Sequence, residues 1–363
     1  MTKGHLFIAT SVLLFIGCNT KTSDNRNNQV ELTSDTISIN PDKQVNCFIY
    51  HRFGDSRYPS TNVSVKNFRA HLEYLKQAGF KVMNFSDAIG YMKNDQPVMK
   101  VAVITIDDGF SSFYENGLPL LEEFAFPATL FINTETVGGN SYMSWDELKD
   151  AGKRGVEIGN HTHSHAFFLD IDNEKRYDQF AAEIKTCQDL IKENLEFTPK
   201  VFAYPYGEFD ARMKAIVQES GFIAGAAQNS GVINPNTNFM ACPRFPMATG
   251  LDELGSFKLK ANVKPLNITG EPENHIIMDD ARPEMDLYLE QEGLRIDEMQ
   301  CFIQGNQCNI EIETLSTDKY RLSITPSQNI HNRRRTLYTL TVPNSKNQWS
   351  WYSYLWIHPT VKE

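Results

Sequence analysis

Two adjacent carboxylates, Asp107 and Asp108, are the first feature of the sequence with clear chemical potential. They follow the apolar, β-branched run 101–106, which predicts a buried strand, and they precede Gly109. Neighbouring side chains at a strand end point in different directions, so one carboxylate can bind a cation while the other exchanges protons. Taken alone, the pair is more often a solvated turn, because Asp-Gly is a common turn sequence.

Three of the nine histidines fall within five residues, directly after a second predicted strand at 156–159. His161 and His165 would share one face if the segment turned like a helix, whereas His161 and His163 would share a face if it stayed extended. A surface histidine cluster is the alternative, but so dense a tract at a strand end favours a metal site. Two imidazoles and one carboxylate suit zinc or a similar divalent ion and leave positions open for water and substrate.

The elements that must position these side chains alternate between short β-branched runs and amphipathic helical stretches. The predicted strands are 45–50, 100–106, 128–133, 156–159 and 201–204, and the predicted helices are 65–78, 144–151, 174–194 and 210–220. Such alternation predicts βα units and a parallel sheet. A barrel is favoured over an open sheet, because no Gly-rich dinucleotide or P-loop motif follows any strand. In an α/β barrel, active sites lie where the strands end.

The pattern changes near residue 266. Helical periodicity fades, and short strands separated by turn signals predict a small antiparallel β-sandwich over residues 266–363. Its predicted strands are 301–303, 309–314, 320–325, 336–342 and 351–357. Trp349, Trp351 and Trp356 lie in this region, with Tyr352 and Tyr354 between them. Aromatic rings can stack on sugars, but their alternation along one strand favours the core of the sandwich.

The N-terminus resembles a bacterial lipoprotein signal. Residues 6–16 form an apolar run too short to span a bilayer, and it ends in Gly17-Cys18, as in a lipobox. Residues 1–18 are therefore predicted to be the signal peptide, Cys18 the lipidated residue, and residues 19–44 a flexible polar tether. The chain would then be anchored by lipid in the cell envelope, outside the cytoplasm.

Composition narrows the class of partner. The hydrophobic content of 41% is that of a globular protein, and the net charge of -10 argues against nucleic acid, since phosphate binding needs a basic surface. Cys301 and Cys308 flank a turn and could form a disulfide in an oxidising compartment. The remaining cysteines, Cys47, Cys187 and Cys242, are predicted to be buried thiols.

A third polar segment, Phe202-Ala203-Tyr204-Pro205-Tyr206-Gly207, ends the predicted strand 201–204. Its proline fixes a turn, so that the backbone N–H of Tyr206 can point outward as an oxyanion donor. Together with Thr105-Ile106-Asp107-Asp108-Gly109 and His161-Thr162-His163-Ser164-His165, this segment resembles the three motifs of the polysaccharide deacetylase family. These proteins are also called NodB-homology proteins or family 4 carbohydrate esterases. The motif order is the family's, and the likeness covers about residues 45 to 260.

The resemblance implies a distorted (β/α)7 barrel over residues 45–262 and removal of acetyl groups from N-acetylated sugars. It implies that Asp107 is the general base. It further implies that Asp108, His161 and His165 bind the metal, with zinc the first choice, while His163 points elsewhere. In the implied reaction a metal-activated water attacks an acetamide carbonyl, and the metal and the Tyr206 N–H hold the oxyanion.

The sequence departs from the family pattern in two respects. Many members begin the third motif with an arginine that orients the base, but Phe202 stands there. Arg244 is the nearest candidate to replace this arginine, and an ordinary surface salt bridge is the equal alternative for it. The family's late Leu-x-His motif, the source of the general acid, is also absent, because no histidine lies between His165 and His275.

A histidine at the end of the first predicted strand offers a replacement acid. Tyr50-His51 resembles the start of the circularly permuted branch similar to poly-N-acetylglucosamine deacetylases, which predicts His51 as the general acid. A structural hydrogen-bonding role is the alternative for this residue. For the whole chain, the alternatives are an inactive glycan-binding lipoprotein and an O-acetyl xylan esterase with the same site. The polymer, whether poly-N-acetylglucosamine, peptidoglycan or another glycan, and the oligomeric state stay open.

Overall fold

The computed structural model describes residues 40–276, 280–304 and 306–362. The predicted signal peptide with Cys18, and the tether up to residue 39, lie outside these residues. Within the described part, no helix combines the length and the apolar character that crossing a membrane requires.

The first part of the described chain alternates strands with helices, as predicted. The strands are β1 (Val45–Tyr50), β2 (Arg52–Phe53), β3 (Asn62–Val63), β4 (Lys81–Met83), β5 (Val101–Asp107), β6 (Ala128–Ile132), β7 (Val156–Asn160), β8 (Val201–Ala203), β9 (Ala224–Ala226) and β10 (Phe245–Pro246). The helices are α1 (Val65–Gln77), α2 (Phe85–Met92), α3 (Leu118–Phe124), α4 (Trp145–Lys153), α5 (Asn173–Leu195), α6 (Ala211–Glu219) and α7 (Leu254–Asn262).

Eight of these strands form one parallel sheet in the order β10-β1-β5-β6-β7-β8-β9, with β4 beside the start of β5. The edges of the sheet approach one another, because Ala226 at the end of β9 forms a parallel bridge with Cys242, just before β10. The sheet therefore curls into a distorted barrel. The predicted α/β class and barrel are confirmed.

Local sequence accounts for most of these elements. Strands β1, β5 and β6 are buried along their whole length, as expected for apolar runs in a parallel sheet covered on both faces. The predicted capping box is present at α4, where the Ser144 side chain accepts from the N–H of Glu147 and the Glu147 side chain accepts from the N–H of Ser144. The predicted helix ends differ from the observed ones by at most two residues.

The second part consists of strands that pack as two sheets. The strands are β11 (Lys264–Pro265), β12 (Ile268–Thr269), β13 (Met285–Glu290), β14 (Gln300–Ile303), β15 (Cys308–Ser316), β16 (Lys319–Pro326), β17 (Arg335–Pro343) and β18 (Trp349–Ile357). The sheet orders are β11-β18-β17-β14 and β12-β13-β16-β15, and all pairings but that of β11 with β18 are antiparallel. A common apolar core joins the sheets, so the predicted sandwich, here called the β-domain, is confirmed.

Strand β18 is covered on both faces. Trp349 and Trp351 pack against the core of the barrel, whereas Tyr352, Tyr354 and Trp356 pack in the core of the β-domain. The prediction that these aromatic residues form core is therefore confirmed, with one set facing the barrel. Consistent with this shared strand, the barrel and the β-domain pack as one compact unit.

The cysteines behave as predicted. Cys301 and Cys308 form a disulfide across the turn between β14 and β15. The thiols of Cys47, Cys187 and Cys242 are free and buried.

Candidate active site

The predicted site residues meet at the carboxyl edge of the barrel sheet. Asp107 is the last residue of β5, and Asp108 follows it. His51 comes directly after β1, His161 directly after β7, and Tyr206 lies in the turn after β8. Because parallel strands end at the same edge, residues far apart in the sequence converge there.

Three of these side chains form a compact set of possible metal ligands. Asp108 Oδ1 lies 3.5 Å from His161 Nε2 and 3.4 Å from His165 Nε2, and the two imidazole nitrogens are 3.1 Å apart. A divalent ion bonded to each donor at about 2.1 Å with tetrahedral angles would space the donors roughly 3.4 Å apart. The donor set therefore fits a zinc-like ion.

Hydrogen bonds orient the imidazoles. His161 Nδ1–H donates to the carbonyl of Ala203 at 2.8 Å, which leaves Nε2 unprotonated and directed at the cluster when the ring is neutral. His163 instead forms a 2.9 Å hydrogen bond through Nδ1 with Thr134 Oγ1. The structure thus brings together His161 and His165, four residues apart, and places His163 outside the cluster.

The backbone reaches this arrangement through unusual conformations. Asp108, Thr162 and His165 have φ values of 75°, 67° and 55°, in the left-handed region that non-glycine residues rarely adopt. The segment after β7 is therefore neither a regular helix nor an extended strand. Such conformations cost free energy and persist where the surrounding structure holds them, which often happens at functional sites.

The charge states of Asp108 and His165 suit metal binding. Burial alone would lower the pKa of His161, but the neighbouring Asp108 and Asp107 raise it above its usual value. Burial, reinforced by the neighbouring His161, lowers the pKa of His165 to about 4, which keeps its imidazole neutral. For Asp108, burial by itself would raise the pKa, but the bond from His161 and the nearby His51 lower it well below its usual value. The cluster thus contains an ionised carboxylate beside a neutral imidazole at neutral pH.

The second carboxylate, Asp107, is held by Arg244. Both side chains are fully buried, and the guanidinium binds both carboxylate oxygens at 2.8 and 2.9 Å. Arg244 also donates to the carbonyl of Ala227 and to Thr105 Oγ1. Burial would raise the pKa of Asp107, but Arg244 and the nearby His161 hold it below its usual value. The alternative of a surface salt bridge for Arg244 is wrong, because the pair lies inside the barrel.

Asp107 also lies next to the metal-ligand cluster. Its Oδ2 is 3.9 Å from His161 Nε2. A small molecule bound at the cluster would therefore be within reach of a rigid, ionised carboxylate. This is the geometry in which one carboxylate exchanges protons while its neighbour binds a cation.

Tyr206 lies beside the cluster in a tight turn. Its φ of 58° is left-handed, and the flanking turn is closed by the N–H groups of Gly207 and Glu208, which donate to Tyr204 and Pro205. The Tyr206 ring contacts the imidazole of His165, with ring centroids 4.4 Å apart. The Tyr206 ring also stacks on Phe167, with ring centroids 3.7 Å apart, so His165, Tyr206 and Phe167 form a short column of rings.

His51 faces the same cluster. Its charge contributes to the lowered pKa of both Asp107 and Asp108, after the larger effects of burial and of their hydrogen-bonded neighbours. The side chain is half-buried, so it can reach both the cluster and solvent.

Arg334 of the β-domain supports the side of the site that Tyr206 and Phe167 form. The sequence analysis did not single out this residue. Arg334 is buried and uses all five N–H donors, two of them on Glu208, one on Asp170, and two on the backbone carbonyls of Pro359 and Val361. Its guanidinium also lies over the ring of Phe167, 4.4 Å from the centroid. The column that supports His165 is thus anchored in the β-domain.

A signal for this residue was present in the sequence. Arg333, Arg334 and Arg335 are consecutive in a chain whose net charge is -10. The carboxylates that pair with Arg334 and Arg335 come from distant segments. Only the folded chain reveals that those segments border the active site.

Comparison with known proteins agrees with the fold. Residues 94–225 match the family model described as polysaccharide deacetylase. The poly-beta-1,6-N-acetyl-D-glucosamine N-deacetylase of Staphylococcus aureus is 28% identical over 212 residues, covering 55% of this chain and 72% of that protein. This part of the chain is therefore similar to polysaccharide deacetylases.

Solved structures share the barrel. IcaB from Ammonifex degensii has 24% identity and a TM-score of 0.54, covering 60% of this chain and 97% of that one. The Streptococcus pyogenes deacetylase PplD in complex with acetate has 18% identity and a TM-score of 0.55, covering 60% of this chain and 98% of that one. These likenesses confirm the barrel fold.

The ligand geometry generates a prediction about metal binding. We expect His161→Ala to lose a bound divalent ion, because it removes one corner of the donor triangle, while His163→Ala retains it. Elemental analysis after dialysis and calorimetric titration with zinc measure the metal content and the zinc affinity of both variants. Equal loss of metal in the two variants would contradict the assignment of ligands four residues apart.

The contacts of Arg334 generate a prediction about stability. Arg334→Met removes two hydrogen bonds to the buried Glu208 and leaves it paired with Arg335, so we expect the free energy of unfolding to fall by about 2–3 kcal/mol. Arg321→Ala, which removes an exposed pair with Asp286, should cost at most about 1 kcal/mol. Urea unfolding measures both, and similar losses in the two variants would show that the Arg334 network contributes no more than a surface pair.

Proposed function

We propose that the chain is a metal-dependent N-deacetylase that removes acetyl groups from N-acetylated sugars of a polysaccharide. The observation that carries this proposal is the position of the buried Arg244–Asp107 pair beside the cluster of Asp108, His161 and His165. The name of the Staphylococcus aureus relative makes β-1,6-linked N-acetylglucosamine the first substrate to test.

The cluster of Asp108, His161 and His165 would hold the divalent ion, with zinc the first choice because imidazole and carboxylate ligands suit it. When bound, such an ion polarises the acetyl carbonyl and lowers the pKa of water. The three protein ligands leave coordination positions open for both, which separates this arrangement from a closed structural site.

Asp107 would accept the proton of the attacking water. Arg244 holds both of its oxygens and keeps it ionised, so the base does not need to reorient during the reaction. Arg244 is thus a positioning residue in this proposal, replacing the arginine that Phe202 displaces from the third motif. Because its pKa is low, Asp107 would be a weak base, and the ion pair would contribute by holding it close to the water in a fixed orientation.

Tyr206 and His51 would act on the carbonyl oxygen and on the nitrogen of the scissile amide, respectively. The backbone N–H of Tyr206 is proposed to donate to the oxyanion. His51 is proposed to protonate the leaving amine, because an amine anion is too basic to depart. Imidazole is the side chain best suited to give up a proton near neutral pH.

The location proposed for this activity is the cell envelope, with Cys18 lipidated and the barrel outside the cytoplasm. The disulfide between Cys301 and Cys308 supports an oxidising compartment, since such bonds are rare in the cytosol. The lipid anchor itself depends on the lipobox-like residues 15–18.

Release of acetate is the direct test of the proposed activity. The protein used for it is a shortened chain that begins at residue 29. The panel comprises β-1,6- and β-1,4-linked N-acetylglucosamine oligomers, peptidoglycan and acetyl xylan. We expect amide substrates to release acetate and Asp107→Asn to retain metal but lose roughly 10²–10⁴-fold in kcat. Near wild-type turnover in metal-loaded Asp107→Asn would overturn the base assignment. Release from acetyl xylan alone would indicate an esterase, and no release at all would favour a glycan-binding protein.

The role of His51 has its own test. We expect His51→Ala to keep fold and metal but to lower kcat steeply on amides and to abolish the alkaline limb of the pH profile. An activated acetyl ester, whose leaving group needs no proton, should be much less affected. Equal losses on the amide and on the activated ester would mean that His51 is structural.

A further inference from the structure

A cleft of about 490 Å³ opens beside Tyr206, between the rim of the barrel and the start of β17. The barrel contributes Tyr206 and Gln228 to its lining, and the β-domain contributes Gln304 and the exposed Arg333. Its volume falls within the range of sites that bind small molecules. The cleft therefore belongs jointly to the two parts of the chain, and neither part forms it alone.

The cleft borders the candidate active site through Tyr206. Tyr206 lines the cleft, and its ring contacts His165 of the metal-ligand cluster at 4.4 Å between centroids. A polymer whose acetyl group lies at the cluster must extend beyond the sugar that carries it. The unit next along the polymer is then within reach of the cleft, one aromatic ring away from the cluster.

The chemistry of the lining suits an uncharged sugar. Gln228 and Gln304 carry amides with both donors and acceptors, which match the hydroxyl and acetamido groups of N-acetylated sugars. Among the described residues that line the cleft, none is acidic. Arg333 and Lys362 are exposed cations there, and neither forms an ion pair with a described residue. The cleft therefore offers polar groups and positive charge.

We propose that this cleft binds the sugar unit next to the one being deacetylated, and that it favours an N-acetylated unit over one that carries a free amine. The inference rests on the proposed N-deacetylase function. Each deacetylation leaves an amine that is positively charged when protonated, and this charge is repelled by Arg333 and Lys362. The enzyme would thus act poorly next to a unit it has already deacetylated, and acetyl groups would be removed at spaced positions.

Arg333 and Lys362 are suitable residues to change, because both are exposed. The neighbouring Arg334 is unsuitable, since its ion pairs with the buried Glu208 and with Asp170 hold the loops beside the site. Arg321, an exposed arginine on β16 that does not line the cleft, provides a matched control for the loss of a surface cation.

The experiment compares β-1,6-linked N-acetylglucosamine pentamers that differ in one unit. One is fully acetylated, and two others carry a free amine on one or the other side of the central acetylated unit. At pH 6 and low salt, we expect wild-type kcat/KM at the central unit to be about fivefold lower for one of the amine-bearing pentamers. The double variant Arg333→Ala/Lys362→Ala should remove most of this difference, and Arg321→Ala should leave it unchanged.

A binding measurement keeps this proposal separate from the proposed activity. Calorimetry with metal-loaded Asp107→Asn gives the dissociation constants of the same pentamers. We expect weaker binding of one amine-bearing pentamer than of the fully acetylated one, and we expect the double substitution to remove most of this difference. Absence of hydrolysis by the wild type would contradict the proposed function, while the binding ratio would still decide the role of the cleft. Equal binding and equal kcat/KM for all three pentamers, or a difference that persists without Arg333 and Lys362, would overturn the inference.

Discussion

Arg244 and Asp107 form an ion pair inside the barrel, where neither side chain touches solvent. Removing two charges from water costs several kcal/mol for each, so such a pair survives only when nearly every hydrogen bond is made. Here the two bonds to the carboxylate are joined by bonds to Ala227 and Thr105. The pair connects the end of β5 to the segment before β10, across β1, which lies between them in the sheet. The orientation of the proposed base and the closure of the barrel therefore depend on the same contact.

This contact also explains how the chain dispenses with an arginine in its third motif. Phe202, which stands there, is buried and packs among aromatic neighbours such as Phe180 and Tyr204. The guanidinium comes instead from the segment between β9 and β10, near the bridge of Ala226 to Cys242. A guanidinium thus reaches Asp107 from the segment before β10, since the barrel brings all strand ends to one rim.

The β-domain forms part of the active-site architecture. Strand β18 lies between its core and that of the barrel, and Arg334, just before β17, binds the loops after β7 and β8. Through Phe167 and Tyr206, this contact reaches His165. A buried guanidinium with five satisfied donors has little freedom to move. The position of His165 is therefore restrained by contacts with the β-domain, which lies outside the barrel.

Local sequence by itself determined the strands and helices whose patterns are long and regular, the capping box at Ser144, and the motifs around Asp107, His161 and Tyr206. These features follow from short-range rules of burial, capping and turn formation. Short elements such as β4, β9 and β10 were not predicted, because two or three residues carry too little periodicity. Residue spacing alone left open which histidine accompanies His161, and only the family resemblance pointed to His165, because left-handed conformations at Thr162 and His165 follow neither regular pattern. The burial of Arg244 against Asp107, and of Arg334 against Glu208, was decided only by tertiary structure, because the partners are 137 and 126 residues apart.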